Sequence, residues 1–416
     1  MPEPLAFLVE WHAEDAAILW CQRQLAVTAT HFRLSDLEHH DQRLDAHLDG
    51  LLVHGREGWA AAQRGLVWEE GGEVFTAAAV ALLSDVPRLQ DVLEVVARHP
   101  TLEAAVVDAL CWVPDEITNA VAERLAGSHE PLENRLGLAA LVQGRRASPQ
   151  QLLAAAESQC EPLQAMALRG LGTQGIVAAA SYLRTYLAEE RESLRLAAAW
   201  SLVRLIHDEQ AGDLLRENAT SGNTAGTAEI VPWVVACPPL PTGAAWIEQL
   251  SQQPATFDRA VFAAGALGVP DLLDWLLDCM TAPAWARQAG EAFTEITGLD
   301  ILQQDLDAPP PDSFAAGPTD DPADDDVAPD PYERYPWPDP VRIAQWWDRH
   351  QSQFSPGHRY FLGHRADEIT WLQHVLCHGT QRQRAAAARA LAVAFPDQPV
   401  FPVALHARRQ SRLLTK

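Results

Sequence analysis

Apolar and small residues return about every 31 positions between residues 102 and 292, and each return carries a helical period. The anchors Leu102, Leu132, Leu163 and Leu194 stand 30, 31 and 31 residues apart. At offsets of three, four and seven follow Ala105, Val106, Ala109; Arg135, Leu136, Ala139; Met166, Ala167, Gly170; and Ala197, Ala198, Ser201. Phe257 and Trp285 open further copies, and a degenerate copy opens at Thr227, where Pro232 is expected to break the helix. Those offsets put side chains on one helical face, and a small residue at the seventh lets a neighbouring helix come close. Between the anchored helices the pattern predicts partner helices over 87–98, 115–126, 149–158, 176–189, 208–217, 243–252 and 270–280. Several open with proline, as at Pro114, Pro149 and Pro270, where a missing N–H costs nothing.

A unit of about 31 residues holds two helices and two turns, which predicts an all-α, HEAT-like helical-repeat solenoid (an α-α superhelix) over 71–304. Residues 1–70 read as an N-terminal helical cap with helices over 15–27 and 34–52, a capping box at Ser35–Glu38 and a polar outer face. Residues 305–331 hold nine Asp and seven Pro; such a stretch buries no apolar area and reads as an acidic, Pro-rich loop or linker. Residues 332–416 form a C-terminal helical region, with helices over 341–353 and 369–377 and a final repeat-like helix over 381–395. Gly71-Gly72 and Gly170-Leu171-Gly172 read as turns at helix ends.

Charge narrows the choice of partner. The net charge is −25, yet residues 331–416 carry twelve Lys and Arg against six Asp and Glu, so the acid lies in the first 330. A strongly acidic surface repels the phosphate backbone of nucleic acid and favours a basic or neutral protein. No apolar run is long enough to span a membrane. The N-terminus carries acid rather than Lys or Arg, unlike a signal peptide. The six scattered cysteines read as reduced, buried thiols, and together these features predict a cytoplasmic chain.

Catalytic signatures are missing: there is no GxSxG, phosphate-binding glycine loop or dinucleotide fingerprint. No catalytic residue and no cofactor is predicted. His374 and His378 share a helical face and could hold zinc, but the Glu of an HExxH motif is absent. The Asp320–Asp326 cluster lacks the spacing of a calcium loop. Aromatics and Arg after the acidic stretch suit either packing or an interface hot spot. The residues nominated for partner binding are Trp337, Trp346, Trp347, Arg349, Arg359, Tyr360 and Trp233.

The phrases Pro336-Trp337-Pro338-Asp339-Pro340, Trp346-Trp347, Gly357-His358-Arg359-Tyr360-Phe361-Leu362-Gly363 and Gly379–Arg384, with Gly290–Asp300 before the acidic stretch, carry a family resemblance. The chain resembles bacterial HEAT-repeat proteins encoded in or near type VI secretion gene clusters. That resemblance implies a non-enzymatic protein-binding scaffold whose partner is an effector or a secretion component. Taken with the solenoid, the acid of the first 330 residues and the missing catalytic motifs, it points to an immunity protein binding a cognate effector, with an effector-loading adaptor or chaperone as the alternative. HEAT-like repeats also occur in bilin lyases and in a DNA glycosylase family, so a lyase-type enzyme is a further alternative, as is a structural scaffold that organises several partners. The acid of the first 330 residues disfavours DNA.

Overall fold

Small residues decide how closely the helices stack. The computed structural model describes residues 6–221, 227–237, 239–311, 314, 317, 330 and 332–415. The fold is all-α, a helical-repeat solenoid in which the described residues form 22 helices and one two-stranded hairpin. The chain divides into two compact units, Met1–Leu205 with His374–Lys416, and Ile206–Gln373.

The first unit opens with α1 (Ala6–Ala26), α2 (Leu34–Val53) and α3 (Arg56–Gly65). Helix pairs follow: α4 (Gly71–Ser84) with α5 (Leu89–Arg98), α6 (Glu103–Trp112) with α7 (Asp115–Ala126), α8 (Pro131–Gln143) with α9 (Pro149–Ala156), and α10 (Glu161–Thr173) with α11 (Ala180–Arg184). Helix α12 (Glu192–Ile206) ends at the boundary. The first helices of successive pairs, α4, α6, α8 and α10, stack on one another. Helix α4 is buried nearly all round, from Val74 to Leu82, which explains its unbroken apolar sequence. The chain returns to this unit with α21 (Gln381–Ala394) and α22 (Ala407–Leu414).

The second unit holds α13 (Glu209–Thr220), α14 (Thr227–Ala236), α15 (Leu240–Ser251), α16 (Phe257–Leu267), α17 (Leu273–Met280), α18 (Ala286–Thr297) and α19 (Pro340–His350). A hairpin of β1 (Tyr360–Phe361) and β2 (His364–Arg365) follows, and α20 (Ile369–His378) crosses the boundary. Here α14, α16 and α18 stack in turn.

Every repeat anchor falls at or beside the start of a helix, and four expectations need correction. Pro232 lies inside α14 rather than ending it. Ile230, Val231, Trp233, Val234 and Val235 are all buried, and their packing outweighs the one hydrogen bond that proline forfeits. Helix α2 starts at Leu34, so Ser35 is inside it; the Arg33 N–H donates to Asp36 at 2.8 Å instead. The glycines read as turns are helical and mark close approach. A Cβ on Gly172 would lie 2.8 Å from Ser201 Cα of α12, and one on Gly72 would strike the Ala17 carbonyl of α1. Finally, the outer face of the cap is not polar: Phe7, Trp11, Ile18 and Leu25 of α1 are exposed.

Candidate functional site

The seven nominated residues all fall in the second unit, at different depths. Trp233, Trp347 and Tyr360 are buried. Trp347 donates its indole N–H to Asp274 at 3.1 Å and meets Phe293 and Phe354 edge-on or tilted. Trp346 is half-buried and stacks on His350, with ring centres 4.1 Å apart. Arg349 is exposed and bonds only its own helix, at Gln345 O. Trp337 is half-buried against Phe314 and beneath the Arg287 guanidinium. Arg359 is half-buried and donates to Ala236 O at 2.7 Å; burial lowers its pKa from the usual value.

Arg287 of α18 closes the base of the acidic stretch. It pairs with Asp330 at 2.7 Å, donates to Tyr332 O and lies over both Trp337 and Phe314. Burial alone would raise the Asp330 carboxyl, but Arg287 and the Tyr332 N–H hold it below the ordinary carboxylate range. Asp307 pairs with Pro338 as an antiparallel bridge, flanked by Ala308 N–H to Trp337 O at 2.9 Å and Asp339 N–H to Leu306 O at 2.8 Å. Residues 306–308 therefore lie side by side with residues 337–339. Asp320–Asp326, considered for calcium, lies outside the described residues.

The chain after the acidic stretch repeatedly lies on helix C-termini. Tyr360 N–H donates to Gly268 O, just past α16, at 2.6 Å; Leu362 N–H and Gly363 N–H donate to Glu295 O and Ile296 O at the end of α18. Gly268 and Gly298 end those helices with φ near +75°, a left-handed cap glycine adopts without strain. A Cβ on either would strike the backbone of Tyr360 or Leu362.

The first unit repeats the device with residues 395–412. Arg204, fully buried near the end of α12, donates to Pro396 O and Gln398 O. Val400 N–H donates to Thr173 O, the last residue of α10, and Arg145, just past α8, donates to Pro399 O. Arg23 of α1 donates to Ala404 O and Leu405 O, both at 2.9 Å, while pairing with buried Asp41 at 2.6 Å. His406 lies 4.5 Å from the Trp112 ring and contacts Asp45 through Nε2, its Nδ1 accepting from the Arg408 N–H. Arg409 donates to Val113 O, past the end of α6, and pairs with Asp115 at 3.0 Å.

Physical chemistry explains the arrangement. The last carbonyls of a helix have no intrahelical partner and carry the negative end of its dipole. Two such ends accept from the segment, Thr173 O from the Val400 N–H and Val113 O from Arg409, while Arg23, Arg145 and Arg204 donate the other way, to its carbonyls, with Asp41, Asp45 and Asp115 alongside. Burial alone would raise the Asp45 and Asp115 carboxyls. Contacts with His406, Trp112 and Arg408, and with Arg146, Arg409 and Arg412, hold them below the usual range. Sequence reasoning missed this surface. Its only signal was the basic balance of residues 331–416 with the Pro-punctuated stretch Phe395–Pro402.

The His374 and His378 rings lie 4.8 Å apart, and no group of three metal-binding side chains occurs among the described residues. All six cysteines are free thiols; Cys111 and Cys279 are buried and pushed by burial up to about 12, whereas Cys21 is exposed, against the expectation of buried thiols throughout. Among the described residues no helix is long and apolar enough to cross a membrane. An open groove between α13 and α15, lined by Asp213, Arg216, Glu217 and Trp246, measures about 560 Å³.

A family model of HEAT repeats matches residues 149–230, from α9 into α14. No curated protein and no solved structure matches the chain. The chain is thus an all-α solenoid containing HEAT repeats, a class that generally mediates protein–protein interaction.

Proposed function

We propose that this chain is a non-enzymatic, cytoplasmic protein-binding scaffold associated with type VI secretion, and that its partner is a cognate effector that it neutralises as an immunity protein. The observation that carries the binding reading is the row of helix ends in the first unit, which already holds a basic segment of the chain itself, residues 395–412, running outside any helix until α22 begins at Ala407. The chain's net charge of −25, with the acid concentrated in the first 330 residues, suits a basic effector and speeds its encounter. The secretion context rests on the resemblance of the C-terminal phrases to proteins encoded in those clusters. Trp337, Trp346, Arg349 and Arg359 retain solvent-facing atoms and belong to the proposed contact region, while Trp347, Tyr360 and Trp233 support it from the core.

Deleting the gene beside its neighbouring effector tests the assignment. Self-intoxication, reversed by restoring the gene, is the expected result. Loss of effector delivery without self-harm would instead identify a loading adaptor. Failure of the purified protein to bind any neighbouring gene product would overturn both.

A further inference from the structure

Helix α1 packs one side into the first unit through Val9, Ala16, Leu19, Trp20 and Arg23. Its opposite side carries Phe7, Trp11, Ile18 and Leu25, exposed by 58%, 57%, 53% and 72%. Spacings of four, seven and seven align these residues as one stripe, and exposed Glu14 and Cys21 occupy the intervening positions of the same stripe. The outermost element of a repeat stack ordinarily presents a polar face, and a contiguous apolar stripe on a folded surface marks an interaction site.

The flank of the stripe is acidic and concave. A cavity of about 130 Å³ between α1, α3 and α4 is lined by Glu10, Glu14, Arg64, Trp68 and Glu73, among others. Glu10 engages Arg64 at 3.0 Å. Among the described residues no cation pairs with Glu14 or Glu73. Trp68, 71% exposed, offers an aromatic face beside them, the setting in which a Lys or Arg gains from both carboxylate and ring.

We propose that the outer face of α1 is a docking surface for a cationic amphipathic helix of a partner protein. Its apolar stripe covers Phe7, Trp11, Ile18 and Leu25, and its Lys or Arg enters the Glu14–Glu73–Trp68 cavity. Charge complementarity selects this occupant: a second copy would bring the same acids against one another, and anionic lipid would be repelled. The inference names a surface for the protein-binding reading above, and rests on it.

A synthetic Leu/Lys helix with leucine in one heptad stripe is the probe, with a scrambled peptide of equal composition as control. Binding is read by calorimetry and by protection of the Cys21 thiol from alkylation in the full chain. The striped peptide should slow Cys21 alkylation at least tenfold, on the order of what a specific groove-bound helix provides. Ile18→Glu, or Glu14→Gln with Glu73→Gln, should weaken binding about tenfold, and salt should weaken it further. Equal protection by the scrambled peptide, no protection, or indifference to Ile18→Glu overturns the proposal. So does a concentration-dependent dimer of the free chain that Ile18→Glu abolishes. If the striped peptide fails while a neighbouring gene product still binds, the docking surface falls alone; if neither binds, the functional reading falls too.

Discussion

Buried guanidinium groups tie distant parts of the first unit together. Arg23, Arg204 and Arg384 are each at most 3% exposed, and their bonds run largely to carbonyl and amide oxygens. Burial lowers the Arg384 guanidinium to about 10. Arg23 has a carboxylate partner, and Asp41 also accepts the Ala407 N–H at 2.7 Å. Asp41→Ala would strand the Arg23 charge and free α22 at once, so it should cost about 3–5 kcal/mol in denaturant unfolding; a loss below about 1 kcal/mol would show that the pair is not integral. Thiol chemistry gives a second check. Cys111 should resist alkylation in the native chain at pH 8 while Cys21 reacts, read by peptide mass spectrometry. Acid supplies a third. Asp45 and Asp115 have folded pKa values below the ordinary one, so their contribution is present above the unfolded value near 4 and is lost as pH falls through the folded values. Unfolding free energy should therefore drop below about pH 4, and Asp45→Asn with Asp115→Asn should flatten that slope.

At the scale of elements, the repeat was legible because helical packing writes a period into sequence. Leu102, Leu132, Leu163 and Leu194 each locate a helix, and the partner helix expected over 115–126 is α7, Asp115–Ala126. What the period could not show is which small residue meets a neighbour. At α8 the template chose Ala139, but the close approach is at Gly137, where a Cβ would lie 2.6 Å from Ala122 O of α7. Crossing geometry decides that, and one sequence does not encode it visibly. Gly137→Ala should destabilise by about 1–3 kcal/mol through overpacking, although alanine is the better helix former. Gly127, with φ −90° and its nearest atom 3.5 Å from a built Cβ, should accept alanine without loss. Equal effects at both sites would refute the close-packing account. The partner helix expected over 176–189 is another limit. It is a 3₁₀ turn, the five-residue α11 and a second 3₁₀ turn, which no periodicity reports.

For the whole molecule, the acidic repeats and the basic C-terminal segment are complementary parts of one chain. The sequence displayed the charge asymmetry but not that residues 395–412 lie across helix ends, because their bonds use main-chain groups and long-range partners such as Arg23 and Leu405. The nominated aromatics were half legible for the same reason: sequence marked Trp346 and Trp347 together, and only packing separates the half-buried ring from the buried one. A chain ending at residue 395 would remove the carbonyls of Pro396, Gln398, Ala404 and Leu405, to which Arg204 and Arg23 donate. It should lose at least about 3 kcal/mol, and a peptide of residues 396–416 added in trans should restore its thermal stability. No loss on truncation would mean that the segment does not stabilise the unit. The most direct test of the central claim is calorimetric titration of the full chain with the purified product of the neighbouring gene, the effector proposed above. A saturable complex with Kd below about 1 µM, weakened by salt, is the expected result; absence of binding at low salt would contradict a solenoid built to hold a basic partner.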